Sequence, residues 1–94
     1  MKVIGKGVIN EFKAKHADAR SQVDSWLAEA EAAVWETPAG VKQRYGSASI
    51  INSNVVFNIK GNAYRLWVKI NYKNGVVLIK KAGTHNEYMK WSIE

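Results

Sequence analysis

Three side chains that can donate or accept protons lie close together near the end of the sequence. They are His85, Glu87 and Tyr88, in the segment 83–88. Histidine changes charge near neutral pH, so His85 is suited to general acid–base catalysis. If a helix begins near His85, then His85 and Tyr88 are three positions apart and share one face. The alternative interpretation of His85 is an ordinary surface histidine.

The same segment also carries the signature of a helix start. Thr84 is a suitable N-cap, and Glu87 stands three residues later, as in a capping box. Both residues therefore have a purely structural interpretation, in which they only begin a short C-terminal helix. His16 is a weaker candidate for chemistry, because it lies at the predicted end of a helix, where a cation complements the helix dipole.

A second group of candidates lies on a predicted strand, residues 64–72. Side chains of a strand alternate between the two faces of its sheet. One face is apolar and is expected to form the core; it carries Tyr64, Leu66, Val68, Ile70 and Tyr72. The opposite face mixes two cations, an aromatic ring and an amide; it carries Arg65, Trp67, Lys69 and Asn71.

The preceding predicted strand, residues 55–59, extends this polar face. We expect Asn58 and Lys60 to lie beside Arg65 and Trp67. Cations and amides suit an RNA backbone, and an aromatic ring suits a stacked base. The alternative is an ordinary solvated face of a two-layer protein, against which an exposed Trp67 among cations argues.

The order of elements that would position these residues is typical of an α+β protein, with helices before the sheet. We predict a strand over Met1–Ile4, a helix over Val8–His16, and a second helix capped by Asp18 or Ser21 that runs to Trp35. The two helices should form an antiparallel hairpin packed on the sheet.

The second half of the chain is expected to be mostly strands. Thr37-Pro38 predicts a short helix that ends near Tyr45. The predicted strands are residues 49–51, 55–59, 64–72 and 76–81. Asn74-Gly75 predicts a two-residue type I′ turn between the last two strands, and Gly61-Asn62 predicts a similar turn one hairpin earlier.

Composition limits the class of protein. With 94 residues the chain is expected to be one domain. Its formal charge of +6 favours a polyanionic or acidic partner, although solubility alone also explains a basic chain. The absence of cysteine excludes disulfides, thiolate zinc sites and a cysteine nucleophile. No secretory signal and no apolar run of about 20 residues is present, so we expect a cytoplasmic protein without a membrane partner.

Two motifs together resemble the HigB family of toxins from type II toxin–antitoxin systems, which belongs to the RelE-like ribonucleases. The motifs are VFNIKGNAYR over residues 56–65 and GTHNEY over residues 83–88. The segments 35–38 and 47–49 are also similar to the family. The likeness covers essentially the whole chain, including its length and its helix-helix-sheet order, and thus residues 1–94 as one toxin domain.

The resemblance implies a RelE-like two-layer fold, in which an N-terminal strand and helix hairpin pack on a mainly antiparallel sheet with a short C-terminal helix. It implies a bacterial endoribonuclease that cleaves mRNA, typically on the ribosome, without a metal or other cofactor. It also implies neutralisation by a helix-turn-helix antitoxin of the HigA type.

The family motifs carry over to individual residues. Asn62 and Arg65 match its GN-x-x-R element, His85 and Tyr88 match its TH-x-x-Y element, and Lys60 matches a basic position. The resemblance implies that Arg65, helped by Lys60, stabilises the transition state, that His85 is the general acid or base, and that Tyr88 orients the phosphate or shares proton transfer. The RNA-binding residues would be Asn58, Asn62, Trp67 and Lys69.

One position departs from the family pattern. Many members have an acidic residue directly after the tyrosine, and this chain has Met89. If that carboxylate assists catalysis elsewhere, its role here is vacant or passes to Glu87. A single histidine does not serve as both acid and base, so a second group is also required.

Two other functions fit the same architecture. ParE-like relatives share the fold and poison DNA gyrase, and a catalytically weak member could act only by binding its antitoxin. The pairing of Arg65 with His85 favours RNA cleavage over both.

Overall fold

The computed structural model describes residues 1–93, which fold as an α+β protein. The helices are α1 (Lys6–Lys15), α2 (Arg20–Ala32), α3 (Pro38–Arg44) and α4 (His85–Tyr88). A 3₁₀ turn over Ala17–Ala19 joins the first two. The strands are β1 (Lys2–Ile4), β2 (Ser49–Ile51), β3 (Asn54–Ile59), β4 (Tyr64–Asn71) and β5 (Val76–Thr84).

Within residues 1–93 the strands form one mixed sheet in the order β1-β5-β4-β3-β2. β1 runs parallel to β5, and each of the other neighbouring pairs is antiparallel. The predicted α+β class is therefore confirmed, and the sheet is mainly antiparallel as expected. The central strand β4 lies between β5 and β3, so its side chains have neighbours on both sides.

The core lies between the helices and one face of the sheet. Trp26 of α2 packs edge-on against Phe57 of β3, with ring centroids 5.4 Å apart. The predicted apolar face of β4 points into this core, with Leu66 at 1 % exposure and Val68 fully buried. The alternation read from the sequence was therefore correct for this face. It follows that Arg65 and Trp67 lie on the other face.

α1 begins at Lys6, two residues before the predicted start, because the chain turns sharply at Gly5. Gly5 has φ of 93°, and a Cβ atom there would lie 2.9 Å from the carbonyl oxygen of Ile79. Only glycine combines this conformation with so close an approach. The turn carries the chain directly over β5, so α1 lies along that strand.

α2 ends at Ala32 instead of Trp35. The amino terminus of Met1 donates hydrogen bonds to the carbonyl oxygens of Ala30 (2.9 Å) and Ala33 (2.8 Å), which occupies acceptors that the end of a helix leaves free. The expected cap by Asp18 or Ser21 is wrong, since the N-cap position belongs to Ala19, with no side-chain cap bond. The 3₁₀ turn leads directly into the helix.

The turns of the sheet differ from the predicted pairs. Asn71 pairs with Val76, so the last hairpin has a four-residue loop in which Gly75 has positive φ; the two-residue type I′ turn at Asn74-Gly75 is wrong. In the loop between β3 and β4 the positive φ angles belong to Lys60 (51°) and Gly61 (64°), not to Gly61-Asn62. Thr37 caps α3 as predicted, since its hydroxyl accepts from the Gly40 amide at 3.2 Å.

β5 continues three residues past its predicted end at Lys81. Trp67 pairs with Lys81 and Val68 pairs with Ile79, so Lys80 is an extra residue that forms a bulge. A bulge interrupts the two-residue alternation and redirects side chains. Lys80 and Lys81 are consequently both exposed, and Gly83 then pairs with Arg65 in front of α4.

Candidate active site at the end of the sheet

The predicted capping box at the start of α4 is confirmed. The Thr84 hydroxyl accepts from the Glu87 amide at 3.1 Å, and a Glu87 carboxylate oxygen accepts from the Thr84 amide at 3.0 Å. The His85 amide donates to the Ala63 carbonyl at 3.1 Å. These bonds fix α4 against the loop between β3 and β4, and they leave the His85 side chain exposed at the first turn.

Arg65 lies directly beside α4. On the sheet it pairs with Asn58 on one side and Gly83 on the other. Its guanidinium donates to the carbonyl oxygens of Asn62 (3.0 Å) and Tyr64 (3.1 Å), and its Cζ atom lies 5.4 Å from the centre of the Tyr88 ring. The backbone of the β3–β4 loop and one aromatic ring therefore hold this cation in place.

The structure thus brings together three of the predicted catalytic residues, Arg65, His85 and Tyr88. The rings of His85 and Tyr88 lie 6.1 Å apart, and Arg65 contacts the Tyr88 ring from the strand below. Asn58 and Asn62 lie at the same end, Asn58 paired with Arg65 and Asn62 accepting from it through its carbonyl. A fixed cation beside groups that can transfer protons is an arrangement that can act on a phosphodiester.

The second face of the sheet is not an open surface at Trp67. The indole is 8 % exposed, and its Nε1–H donates to the Asn54 side-chain oxygen at 3.0 Å. Trp91, which follows α4, lies over it with ring centroids 6.0 Å apart. The expectation of an exposed Trp67 that stacks on a base is therefore wrong. The sequence gives no sign of this cover, because periodicity does not say which distant segment will pack on a face.

Gly83 is the reason that α4 and Trp91 reach the sheet. A Cβ atom at this position would lie 3.1 Å from a Glu87 carboxylate oxygen and 3.2 Å from the Trp91 ring. The strand therefore presents bare backbone where the cover packs. Arg65 pairs with Gly83 and is only 9 % exposed for the same reason.

Lys60 is not beside Arg65 and Trp67, and this expected placement is also wrong. β3 ends at Ile59, and the positive φ of Lys60 turns its side chain toward the segment between α1 and α2. Its ammonium group lies 3.1 Å from the Asp18 carboxylate. The Tyr64 hydroxyl donates to the same carboxylate at 2.8 Å. Lys60 therefore fixes the loop that carries Asn62.

Asp18 makes this cluster depend on pH. The hydrogen bond from Tyr64, followed by that from Lys60, holds the pKa of Asp18 below its usual value of 3.8. A carboxyl group with a lowered folded-state pKa stabilises the fold above its unfolded pKa and loses that contribution as the pH falls through the folded value. We expect Asp18→Asn to melt at a lower temperature than the wild type at neutral pH, and the difference to vanish as the pH falls below about 3.8.

Thermal melts of the two proteins from pH 7 to pH 2, followed by circular dichroism, check this prediction. Tyr64→Phe with Asp18 intact is the matched control. Because Tyr64 is the first cause of the lowered pKa, this variant should show part of the same loss at neutral pH. A difference between Asp18→Asn and wild type that persists unchanged at pH 2 would contradict the assignment.

Lys69 lies on the predicted face but at the other end of it. It pairs with Asn54 and Leu78, four residues along β4 from Arg65, which is about 13 Å. Its side chain is exposed. The structure therefore does not bring Lys69 to the cluster of Arg65, His85 and Tyr88.

Many family members have an acidic residue at the position of Met89, and Glu87 is the nearby carboxylate that could replace it. The Thr84 amide, followed by smaller contributions that include the positive charges of His16 and Lys15, lowers the pKa of Glu87. A carboxylate so stabilised is a poor proton donor. Met89 is 69 % exposed and ends α4. The Glu87 carboxylate is thus held by the cap of α4, and its replacement of the missing acid stays a prediction.

His16 lies closer to the site than its place at the end of α1 suggested. Its ring is 4.8 Å from that of Tyr64 and 5.0 Å from that of Phe12. Tyr64 precedes Arg65 and pairs with Thr84, the cap of α4. Sequence reasoning missed this proximity, since it depends on how α1 lies along β5.

Residues 1–93 contain neither a metal-binding group of side chains nor a membrane-spanning helix. They contain no group of three or more histidine, aspartate or glutamate side chains placed to hold a metal ion. None of the helices described there has the length and apolar character required to span a membrane.

The fold is consistent with the family to which the sequence belongs. Residues 19–91, well over half of the chain, match the HigB_toxin family, described as the RelE-like toxic component of a toxin–antitoxin system. The chain therefore belongs to the HigB toxin family, and its family implies an antitoxin as partner. No curated protein matches the sequence. The matched range includes Arg65, His85, Tyr88 and Trp91.

Proposed function

We propose that this toxin is a metal-independent endoribonuclease that cleaves mRNA on the ribosome, and that residues 1–94 act as one domain. The observation that carries the proposal is the position of Arg65. Its guanidinium is held by two backbone carbonyls against the Tyr88 ring, and the ring of the exposed His85 lies 6.1 Å from that of Tyr88. A cation held in advance at the place where negative charge develops stabilises a transition state without reorganisation.

The proposed reaction is an internal transfer at the phosphate. The RNA 2′-oxygen forms a bond to the adjacent phosphorus, and the bond from phosphorus to the 5′-oxygen breaks. The products are a 2′,3′-cyclic phosphate and a 5′-hydroxyl. One proton leaves the 2′-hydroxyl and one is delivered to the 5′-oxygen, so no metal, oxidant or other reactant is needed.

The three residues take separate roles in this reaction. Arg65 stabilises the charge on the phosphorane-like transition state. His85 transfers one proton as general acid or base. Tyr88, whose ring is near both Arg65 and His85, orients the phosphate and shares in the second proton transfer. Asn58 and Asn62 contact the RNA backbone at the same end of the sheet.

Membership of the HigB toxin family supports the location and the antitoxin that belong to this proposal. The toxin acts in the cytoplasm, and its antitoxin is a helix-turn-helix protein of the HigA type. The exposed side of the cluster, formed by His85 on α4, is the side that would approach message on the ribosome.

Induction of the wild-type toxin in a bacterium without its antitoxin tests the function. We expect growth to stop within one generation and primer extension on a translated message to show discrete cuts in register with codons. Inhibiting translation initiation on that message should remove the cuts, since the proposal places cleavage on the ribosome. Growth arrest with DNA breaks and intact message would instead indicate action on gyrase, and no arrest would indicate a module that only binds its antitoxin.

A further inference from the structure

A groove of about 300 Å³ runs between α1 and the second half of β5, and it does not include Arg65 or His85. We propose that this β5 groove binds the phosphodiester backbone of RNA next to the candidate active site. The proposal rests on the proposed function, because it names where the RNA strand continues beyond the cleaved phosphate. The β5 groove is lined by α1, β5 and the residues around α4, among them Lys15, His16, Lys80, Lys81, Glu87 and Trp91.

The lysines of the β5 groove differ in their ion pairing from the other lysines of α1. Lys15 from α1 and Lys80 and Lys81 from the bulge of β5 line the groove, and none forms an ion pair within the described residues 1–93. By contrast, Lys6 and Lys13, also on α1, are paired with Glu31 and Asp24. Lysines that converge on one concavity without forming ion pairs are suited to neutralising phosphates.

The edge of the sheet is open along the β5 groove. β1 pairs with β5 only as far as Leu78, because the chain turns away at Gly5. Beyond that point β5 has no strand on this side within the described chain. The bulge at Lys80 leaves two consecutive lysines exposed, and both line the groove. The open edge of β5, the helix α1 and the residues around α4 thus border one channel.

The β5 groove is connected to the candidate active site through aromatic side chains. Trp91 lines the groove, and its ring lies 5.8 Å from that of Tyr88. Tyr88 in turn contacts Arg65. His16, at the other wall, packs on Tyr64, the neighbour of Arg65. A strand of RNA that leaves the cleaved phosphate would therefore enter the groove after crossing one aromatic ring.

Two carboxylates also line the groove, and they define what it would select. The Glu87 carboxylate is occupied by the Thr84 amide. Glu11 of α1 forms no ion pair within residues 1–93 and faces the groove from the helix side. We expect Glu11 to repel a phosphate, so removing its charge should tighten binding.

An acidic protein segment is the other polyanion that could enter the groove. The exposed large apolar side chains that a protein partner would cover are not in the lining of the groove, however; they are Ile4, Val34, Ile51, Leu78 and Met89. Three of them, Ile4, Leu78 and Ile51, lie in one row across the second face of the sheet, at the end away from Arg65. The groove itself carries three lysines against two glutamates, one of which is held by the cap of α4, and this balance favours RNA.

The experiment measures binding separately from cleavage. A fluorescein-labelled single-stranded RNA is titrated with full-length His85→Ala protein and, in the same background, with Lys80→Gln/Lys81→Gln. We expect the double variant to bind more weakly at each salt concentration. The slope of log Kd against log salt should fall by about 0.7 for each lysine that contacts a phosphate. Glu11→Gln should bind several-fold more tightly.

Lys2→Gln/Lys73→Gln is the matched control, because both lysines are exposed and lie outside the groove lining. It removes the same net charge and should change the affinity much less. A second arm repeats the titration with purified ribosomes. If Lys80→Gln/Lys81→Gln loses affinity only for the oligonucleotide, the groove binds the message. If it loses affinity only for ribosomes, the groove binds ribosomal RNA.

Equal affinity and equal salt slope for Lys80→Gln/Lys81→Gln and its parent, in both arms, would overturn the inference. An equal loss in both double variants would also overturn it, since net charge alone would then explain binding. So would a loss of binding that appears only when the same proteins are titrated with the antitoxin. Cleavage by the wild type is measured separately, so failure of the ribonuclease proposal with a binding groove intact is distinguishable from failure of the groove.

Discussion

Replacing Arg65 by alanine should lower the rate of mRNA cleavage by about 10³-fold or more. The guanidinium is the one cation that the structure places against Tyr88 among the residues described, and a neutral side chain cannot stabilise charge on the phosphate. The substitution should also destabilise the fold, by about 1–3 kcal/mol, because the Asn62 and Tyr64 carbonyls lose their donor. Cleavage of a translated message, timed by primer extension in a reconstituted translation reaction, gives the rate.

A conservative substitution separates charge from folding. Arg65→Lys keeps the positive charge but lacks the planar group that makes both backbone bonds, so we expect partial recovery of stability with most of the rate still lost. Lys69→Ala is the matched control on the same strand and face, about 13 Å away, and should cleave like the wild type. An Arg65→Ala protein that circular dichroism shows to be folded at the assay temperature, and that retains more than a tenth of the rate, would exclude Arg65 as the stabilising cation.

The sequence predicted the scaffold of this site well because its signals are local. The alternation along residues 64–72 identified the core face of β4, and the Thr84–Glu87 spacing identified the start of α4. Both follow from geometry that repeats over two to four residues. The same reasoning placed Arg65 opposite Leu66 and next to Asn58, which the strand register confirms.

The errors arise where non-local packing or backbone conformation decides the outcome. Lys60 looked like the next residue of an alternating strand, but its positive φ takes it out of the sheet and into contact with Asp18. Trp67 looked exposed, because nothing in residues 64–72 reveals that Trp91 will cover it. The cover changes the interpretation of the polar face, because it removes Trp67 from the surface that RNA could contact.

The β5 groove was not predicted from the sequence, for a related reason. Lys80 and Lys81 follow Ile79 as two exposed residues in succession, a break in alternation that first suggests the end of a strand. The strand instead continues through a bulge to Thr84. His16 and Lys15 come close to α4 only because Gly5 directs α1 along β5. A one-residue bulge and one glycine thus create a charged surface that no local pattern predicts.

His85 is the residue for which loss of rate and loss of fold should separate most clearly. Its side chain is exposed, and the bonds that fix α4 use its backbone amide and the Thr84–Glu87 cap. His85→Ala should therefore melt like the wild type yet cleave about 10²–10⁴-fold more slowly, the range for loss of a general acid or base. Asn86→Ala, which truncates the next exposed side chain of the same turn, should leave both properties unchanged.

The single-turnover cleavage rate on ribosome-bound message, measured across pH for wild type and His85→Ala, completes the test of His85. We expect the variant to lose one limb of the pH–rate profile, because the proton-transfer group that produces it is gone, while its affinity for ribosomes stays within a few-fold. A slow variant with the wild-type profile would show that His85 positions the substrate instead. The proton-transfer role would then fall to Tyr88, the remaining group that contacts Arg65, and Tyr88→Phe would be the variant expected to change the profile.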